Sequence, residues 1–344
     1  MEVGPRLLVL LSCVLFLHYF SNLLPSIYFQ LHPLMASHND DILHDFPPFF
    51  KVFKDGRILR HDSFDGANAP IVPPGVDPLT GIQTKDVVFS PESGVSARIF
   101  LPSLAQHSSS HKLPLLVHYH GGGFCIGSAL DVITHRYITS LVTLTSAVVV
   151  SVEYRLAPEN PLPIAYDDSF AALQWIASHS TRRGPEPWLN QYPDLDRVFI
   201  TGESAGANIA HHVTVRAGAT GLAGVKIVGM ILLHPFFGTS EEDKMYRFMC
   251  PTSSGRDDDP KLNPGEDPNL SKMGCEKVLV CVAGKDGLKE RGVKYYETLR
   301  KSEWGGRVDL IESEGEDHCF HMFNPNSERV GPLFNLIAEF VMKY

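Results

Sequence analysis

The stretch TGESAGANIAHH, residues 201–212, holds Ser204 between Gly202 and Gly206. The apolar run 198–200 before it reads as a strand, and residues 205–213 read as the start of a helix. A sharp strand-to-helix turn needs small residues on both sides of its tip. The G-x-S-x-G spacing is that of a nucleophile elbow, which lifts a serine hydroxyl clear of the backbone. Glycine, alanine and serine also fill ordinary tight turns, so Ser204 alone reads either way. An attacking serine needs three further things: a base, an acid to orient that base, and donors for an oxyanion.

Candidates for all three occur elsewhere in the chain. His120-Gly121-Gly122-Gly123-Phe124 directly follows the strand-like run LPLLVHY. Glycines after a strand expose backbone N–H groups with no side chain blocking approach. Beside a nucleophile, such donors can be aimed at a developing oxyanion. The expected donors are the N–H groups of Gly122, Gly123 and Ala205, the residue after the serine. A phosphate loop fits poorly, because no Gly-Lys-Ser/Thr follows and GGGFCIG lacks a glycine at its sixth position. In chains with a nucleophile elbow the acid and then the base follow the serine. Asp286, after the run VLVCVAGK, and His318, in EGEDHCFHMF, occur in that order. His318 would take the Ser204 proton, and Asp286 would hold its other ring nitrogen and fix the tautomer. His321 is a rival base, and Glu316 or Asp317 could make either histidine a surface ion partner. His120 belongs to the glycine loop. His211 and His212 lie on the expected helix after Ser204, where packing or capping is the plain role.

These residues must be carried by a scaffold, and the chain supplies one. Apolar, β-branched runs recur at 94–99, 115–119, 147–152, 197–201, 227–233 and 277–283, with VDLIES a further strand. Helix-length segments lie at 129–145, 165–179, 205–216, 289–300 and 327–342. This alternation predicts an α/β fold with a mostly parallel sheet flanked by helices. The runs VVVSVEY and VLVCVA lack polar alternation, as strands covered on both faces should. Residues 44–83 are rich in proline, glycine and aspartate and read as an irregular arm with room for one short helix. Residues 239–272 are polar and turn-rich and read as an insertion above the sheet.

The chain has 344 residues, 44% of them hydrophobic and 20% charged, with a net charge of −9. No concentrated basic face is present, which argues against a nucleic-acid partner. The six cysteines form no C-x-x-C pair and no metal-ligand array, and there is no H-E-x-x-H. No metal and no cofactor is expected. Residues 7–17, LLVLLSCVLFL, are strongly apolar but too short for a span of roughly 20 residues. Three readings of residues 1–34 stand open: a signal or anchor, a buried helix, or an extension upstream of a usual start at Met35. Membrane contact is expected only through residues 7–24. The cytoplasm is the expected compartment unless residues 1–34 act as a signal or anchor.

Taken together, HGGGF at 120–124, EYRLAPENPLP at 153–163, Asp167-Asp168, TGESAGANIAHH at 201–212, Asn263-Pro264 and GEDHCFH at 315–321 resemble the plant carboxylesterase family. This is the hormone-sensitive-lipase-like branch of the α/β-hydrolases, and the resemblance covers nearly everything from Met35 onward. It implies an eight-stranded, mostly parallel sheet in a catalytic domain over 35–344. It also implies a cap built from the arm, residues 35–83, and from insertions, here 239–272. The implied activity is hydrolysis of small-molecule carboxylic esters with short or medium acyl groups. Two related groups share the fold. Gibberellin receptors lack the catalytic histidine, whereas His318 is present here. The 2-hydroxyisoflavanone dehydratases eliminate water, and several carry threonine where this chain has Ser204. The segment 238–246 is shorter than is usual in the family, which leaves the substrate pocket open at that point.

Overall fold

The computed structural model describes residues 41–61, 69–103 and 112–343. The apolar segment 7–24 and the alternatives for residues 1–34 lie outside these. Among the described residues, no helix is long and apolar enough to cross a membrane. The chain divides into two compact units, Met1–Leu59 and Arg60–Tyr344. The described part of the first carries strands where the sequence left room for a helix. β1 (Ile42–Phe46) pairs antiparallel with β2 (Phe50–Phe53), and β3 (Ile58–Arg60) completes a three-stranded sheet. The division at 59/60 falls earlier than the sequence boundary at 83, which is where the next strand starts.

The second unit is built on an eight-stranded sheet. Its strands are β4 (Gln83–Ser90), β5 (Val95–Leu101), β6 (Leu113–Tyr119), β7 (Val148–Glu153), β8 (Pro193–Glu203), β9 (Ile227–Leu233), β10 (Lys277–Ala283) and β11 (Arg307–Ser313). They are ordered β11-β10-β9-β8-β6-β7-β5-β4. β4, β5 and β7 pair antiparallel, and all the other neighbours pair parallel. The expected mostly parallel eight-stranded sheet is therefore present. β4 was not legible in the sequence. It is an edge strand with a half-buried pattern, so its residues QTKDVVFS carry little apolar signal.

Parallel strands need crossovers, and the expected helices supply them. α1 (Val132–Thr145) joins β6 to β7. α2 (Ile164–Ala177) and α3 (Pro187–Gln191) join β7 to β8, and α4 (Ala205–Thr220) joins β8 to β9. α5 (Lys244–Met249) lies in the insertion between β9 and β10. α6 (Lys289–Lys301) precedes β11, and α7 (Phe320–Phe323) and α8 (Val330–Met342) close the chain. α1 starts where the Asp131 carboxylate accepts the Thr134 N–H at 2.7 Å, an N-cap that satisfies one orphan donor. One face of the sheet is covered by α1 and α8 through Phe199, Ile231, Leu279, Leu333 and Ile337, all buried.

This core holds the strand ends in register, and those ends carry the functional loops. In open α/β sheets the site lies outside the carboxyl ends of the strands. Here the neighbours β6, β8, β9, β10 and β11 deliver the glycine loop, Ser204, His234, Asp286 and His318 side by side. Phe199 sits in mid-β8, fully buried, with its ring 6.0 Å from that of Phe340. Phe199→Ala is expected to lower unfolding free energy by about 3–5 kcal/mol, measured by urea denaturation. A loss under ~1 kcal/mol would show that the strand carrying the elbow is not held by this core.

Candidate active site

Ser204 has φ 55° and ψ −117°, a backbone conformation that non-glycine residues rarely adopt. The turn is held by the Ser204 N–H donating to the Leu233 carbonyl (2.9 Å) and by the Phe236 N–H donating to the Ser204 carbonyl (3.0 Å). Gly202 and Gly206 are required by close approach. A β-carbon on Gly206 would lie 2.0 Å from the Tyr119 carbonyl oxygen, and one on Gly202 would lie 2.4 Å from the Gly206 carbonyl oxygen. The turn is therefore pressed against the end of β6, the strand that leads into the glycine loop.

That loop reaches the serine directly. A β-carbon built on Gly121 would meet the Ser204 β-carbon at 3.4 Å. Gly122 and Gly123 have φ of 105° and 58°, and Phe124 follows at 65°. The Gly121 N–H is already used, donating to Glu203 Oε1 at 2.7 Å. The N–H groups of Gly122, Gly123 and Ala205 have no acceptor among the described residues. For Ala205 this is the ordinary state of a first helical residue.

Glu203 was not singled out in the sequence, and it is almost fully buried. Its Oε2 lies 2.9 Å from His118 Nε2, and His118 Nδ1 lies 2.8 Å from Ser151 Oγ. Burial opposes the ionised carboxylate, but His118 and the Gly121 N–H outweigh it and hold the carboxyl below its usual range. A buried carboxylate thus ties the residue before the nucleophile to the loop beside it. The signal for this lay in the sequence as an acidic residue that closes the buried run 198–202.

His318 Nδ1 lies 2.7 Å from Asp286 Oδ2. Asp286 is anchored in turn by the Leu288 N–H donating to its Oδ1 at 2.7 Å. Burial lowers the His318 pKa, while the Cys319 sulfur and the Asp286 carboxylate raise it, for a net rise above the ordinary histidine value. The Cys319 thiol is itself raised by burial and so stays neutral near pH 7. Asp286 is the partner that acts at that pH. The structure joins His318 to Asp286 and shows no hydrogen bond from Ser204 Oγ to His318. Such bonds are often long before substrate arrives.

The rival residues have other partners. His321 is buried, its pKa pushed down to about 3 by burial, and its ring packs 5.0 Å from that of Tyr137. It is no surface ion partner. The Glu316 carboxylate accepts from Ser327 Oγ at 2.6 Å instead of pairing with His318. His211 Nδ1 lies 2.9 Å from the Tyr295 hydroxyl, and His212 Nε2 lies 3.1 Å from the Lys261 carbonyl. His120 stacks on Tyr154 at 4.3 Å. His234 is a further residue that the sequence did not mark. It follows β9 with φ 47°, and its Nδ1 accepts the Cys319 N–H at 2.9 Å. It thereby pins the residue next to His318.

The alpha/beta hydrolase fold family matches residues 116–322. A probable carboxylesterase 1 of Arabidopsis thaliana is 42% identical over 319 residues, covering 88% of this chain and 98% of that protein. The chain belongs to the plant carboxylesterase family of α/β-hydrolases. A 2-hydroxyisoflavanone dehydratase of Glycyrrhiza echinata is 41% identical over 324 residues, covering 88% of this chain and 97% of that protein. Among solved structures, a hyperthermophilic esterase from the archaeon Pyrobaculum calidifontis aligns with a TM-score of 0.62 at 27% identity. It covers 80% of this chain and 87% of that one.

Within this plant carboxylesterase relative, the Glu203 anchor generates a specific expectation. Glu203→Ala strips the acceptor from Gly121 and should lower kcat about 10²-fold, with a smaller change in KM. Glu203→Gln keeps an acceptor and should retain more turnover. Steady-state kinetics of both variants check this, and equal kcat for Glu203→Ala and the parent would remove the anchor's role.

Proposed function

We infer that the protein hydrolyses carboxylic esters by acyl transfer through Ser204, Asp286 and His318. The observation that carries this reading is a serine held in an elbow beside the glycine loop, whose Gly122 and Gly123 N–H groups, like that of Ala205, have no acceptor among the described residues. Ser204 Oγ attacks the ester carbonyl while His318 Nε2 takes its proton. The oxyanion of the tetrahedral intermediate is met by the three N–H groups. His318 then gives the proton to the departing alkoxide, and water activated by the same nitrogen releases the acid. Asp286 holds Nδ1 and stabilises the imidazolium throughout. No step needs a metal or cofactor.

The acyl preference proposed is short to medium, supported by an aromatic wall beside the nucleophile. Phe124, next to the glycine loop, has its ring 5.8 Å from Tyr246 and 6.0 Å from Phe236. Tyr246 comes from α5 in the insertion 239–272, and Phe236 is the residue whose N–H reaches the Ser204 carbonyl. The packing of Tyr246 against Phe124 and Phe236 supports a cap role for the insertion.

Ser204→Ala should abolish covalent labelling by a fluorophosphonate and remove nearly all ester turnover. Full turnover in that variant would sink the assignment. Asp286→Asn should lower kcat by roughly 10⁴. Because Asp286 raises the His318 pKa, its loss should also move the acid limb of the kcat/KM–pH profile to lower pH. An unmoved limb would mean that another group titrates.

A second reading is favoured by one observation, the 41% identity to a 2-hydroxyisoflavanone dehydratase. There His318 would abstract a carbon-bound proton as the hydroxyl leaves as water, and Ser204 would hold substrate without being acylated. Turnover of aryl esters of graded acyl length and of a 2-hydroxyisoflavanone, on the same preparation, separates the two. Hydrolysis is expected to dominate, with rates falling as the acyl chain lengthens. Preferential dehydration would reverse the assignment.

A further inference from the structure

Sequence spacing offers no metal-ligand array, but the fold assembles one. His234 leaves the end of β9, while His318 and Cys319 leave the end of β11. One donor atom from each lies within 4.8 Å of the other two. Two imidazoles and a thiol are a ligand set that suits soft and borderline cations, zinc above all. We propose that His234, His318 and Cys319 bind a thiophilic divalent cation of the zinc class, which switches the esterase off by occupying Nε2 of His318. This rests on the reading of His318 as the general base.

The geometry supports each ligand. Asp286 Oδ2 already engages His318 Nδ1 at 2.7 Å, which leaves the lone pair on Nε2. A carboxylate–histidine pair of this kind also orients histidines toward metals. His318 is half-buried, so a cation reaches it from the solvent side, while Cys319 and His234 form the buried floor. His234 is 1% exposed, and its Nε2 has no hydrogen-bond partner among the described residues. Coordination through Nε2 requires the His234 proton to move to Nδ1, at the cost of the Cys319 N–H contact. Tetrahedral coordination at about 2.0–2.1 Å to nitrogen and about 2.3 Å to sulfur requires the three donors to draw together. Small side-chain rotations about the positive-φ residues His234 and Cys319 can do this. The step balances without redox change. The Cys319 Sγ–H bond breaks, the sulfur–metal bond forms, one proton goes to solvent, and water fills the fourth position.

The test uses the purified full chain, stripped with chelator. Zn²⁺ is titrated against a chromophoric competitor while ester turnover is followed, and Co²⁺ serves as the spectroscopic probe. One Zn²⁺ per chain, a loss of turnover of at least tenfold that chelator reverses, and a sulfur-to-cobalt charge-transfer band are expected. Cys319→Ala should weaken binding at least tenfold, lose the band and keep metal-free turnover, which also reports that it folds. Cys319→Ser serves if the alanine variant misfolds. The proposal is overturned if the parent binds no zinc, if it binds zinc without losing turnover, or if Cys319→Ala is inhibited like the parent. Should Ser204→Ala keep turnover, the nucleophile reading falls on its own. The cobalt band in that variant then decides the metal site: present, the site stands; absent, it falls.

Discussion

The arrangement depends on one close approach, that of the turn at Ser204 to the end of β6. The Tyr119 carbonyl lies where a β-carbon on Gly206 would be, so backbone packs on backbone with no side chain between. At this contact Ser204, midway between the two glycines, takes a positive-φ conformation. Conformational strain of this kind costs of order 1–3 kcal/mol and persists only where its surroundings over-determine it. Here the surroundings are a central strand buried on both faces and paired on both edges. The same contact brings the glycine loop beside the serine, because β6 and β8 are sheet neighbours.

The second layer of the design is electrostatic. Glu203 is a carboxylate sealed from water, a state that is costly unless it is paired and hydrogen-bonded. His118, Ser151 and the Gly121 N–H meet that requirement and, in doing so, fix the loop. Two other buried histidines nearby are held neutral by desolvation. His234 and His321 are both pushed below the ordinary range, so neither competes for a proton near pH 7. His318 differs because it is half-exposed and faces Asp286. One imidazole among several is thus kept basic by its neighbours, and its environment, more than its residue type, sets it apart. The neutrality of His234 also leaves its Nδ1 able to accept the Cys319 N–H, which sets the backbone next to His318.

Much of this was legible in the sequence, because the relevant signals are local. Strands such as VVVSVE and KVLVCVA are buried on both faces, so their apolar runs are unbroken and easy to read. The elbow announces itself because only glycine tolerates that packing distance. Asp286 and His318 were legible from their places at strand ends and from their order. β4 escaped because an edge strand has one unpaired side and mixed burial, which leaves a mixed composition. Glu203 and His234 escaped for another reason: each acts through partners that are distant along the chain.

The sequence by itself determined the elements, the order of the candidate nucleophile, acid and base, and the glycines that permit the turn. These follow from propensity, periodicity and steric need within a few residues. Tertiary structure alone decided which histidine faces a carboxylate and which glycine N–H is consumed by Glu203. It also decided that His234 joins His318 and Cys319. Those outcomes depend on strand order in the sheet. Sheet pairing brings together residues more than 80 positions apart, and no local pattern encodes such a distance.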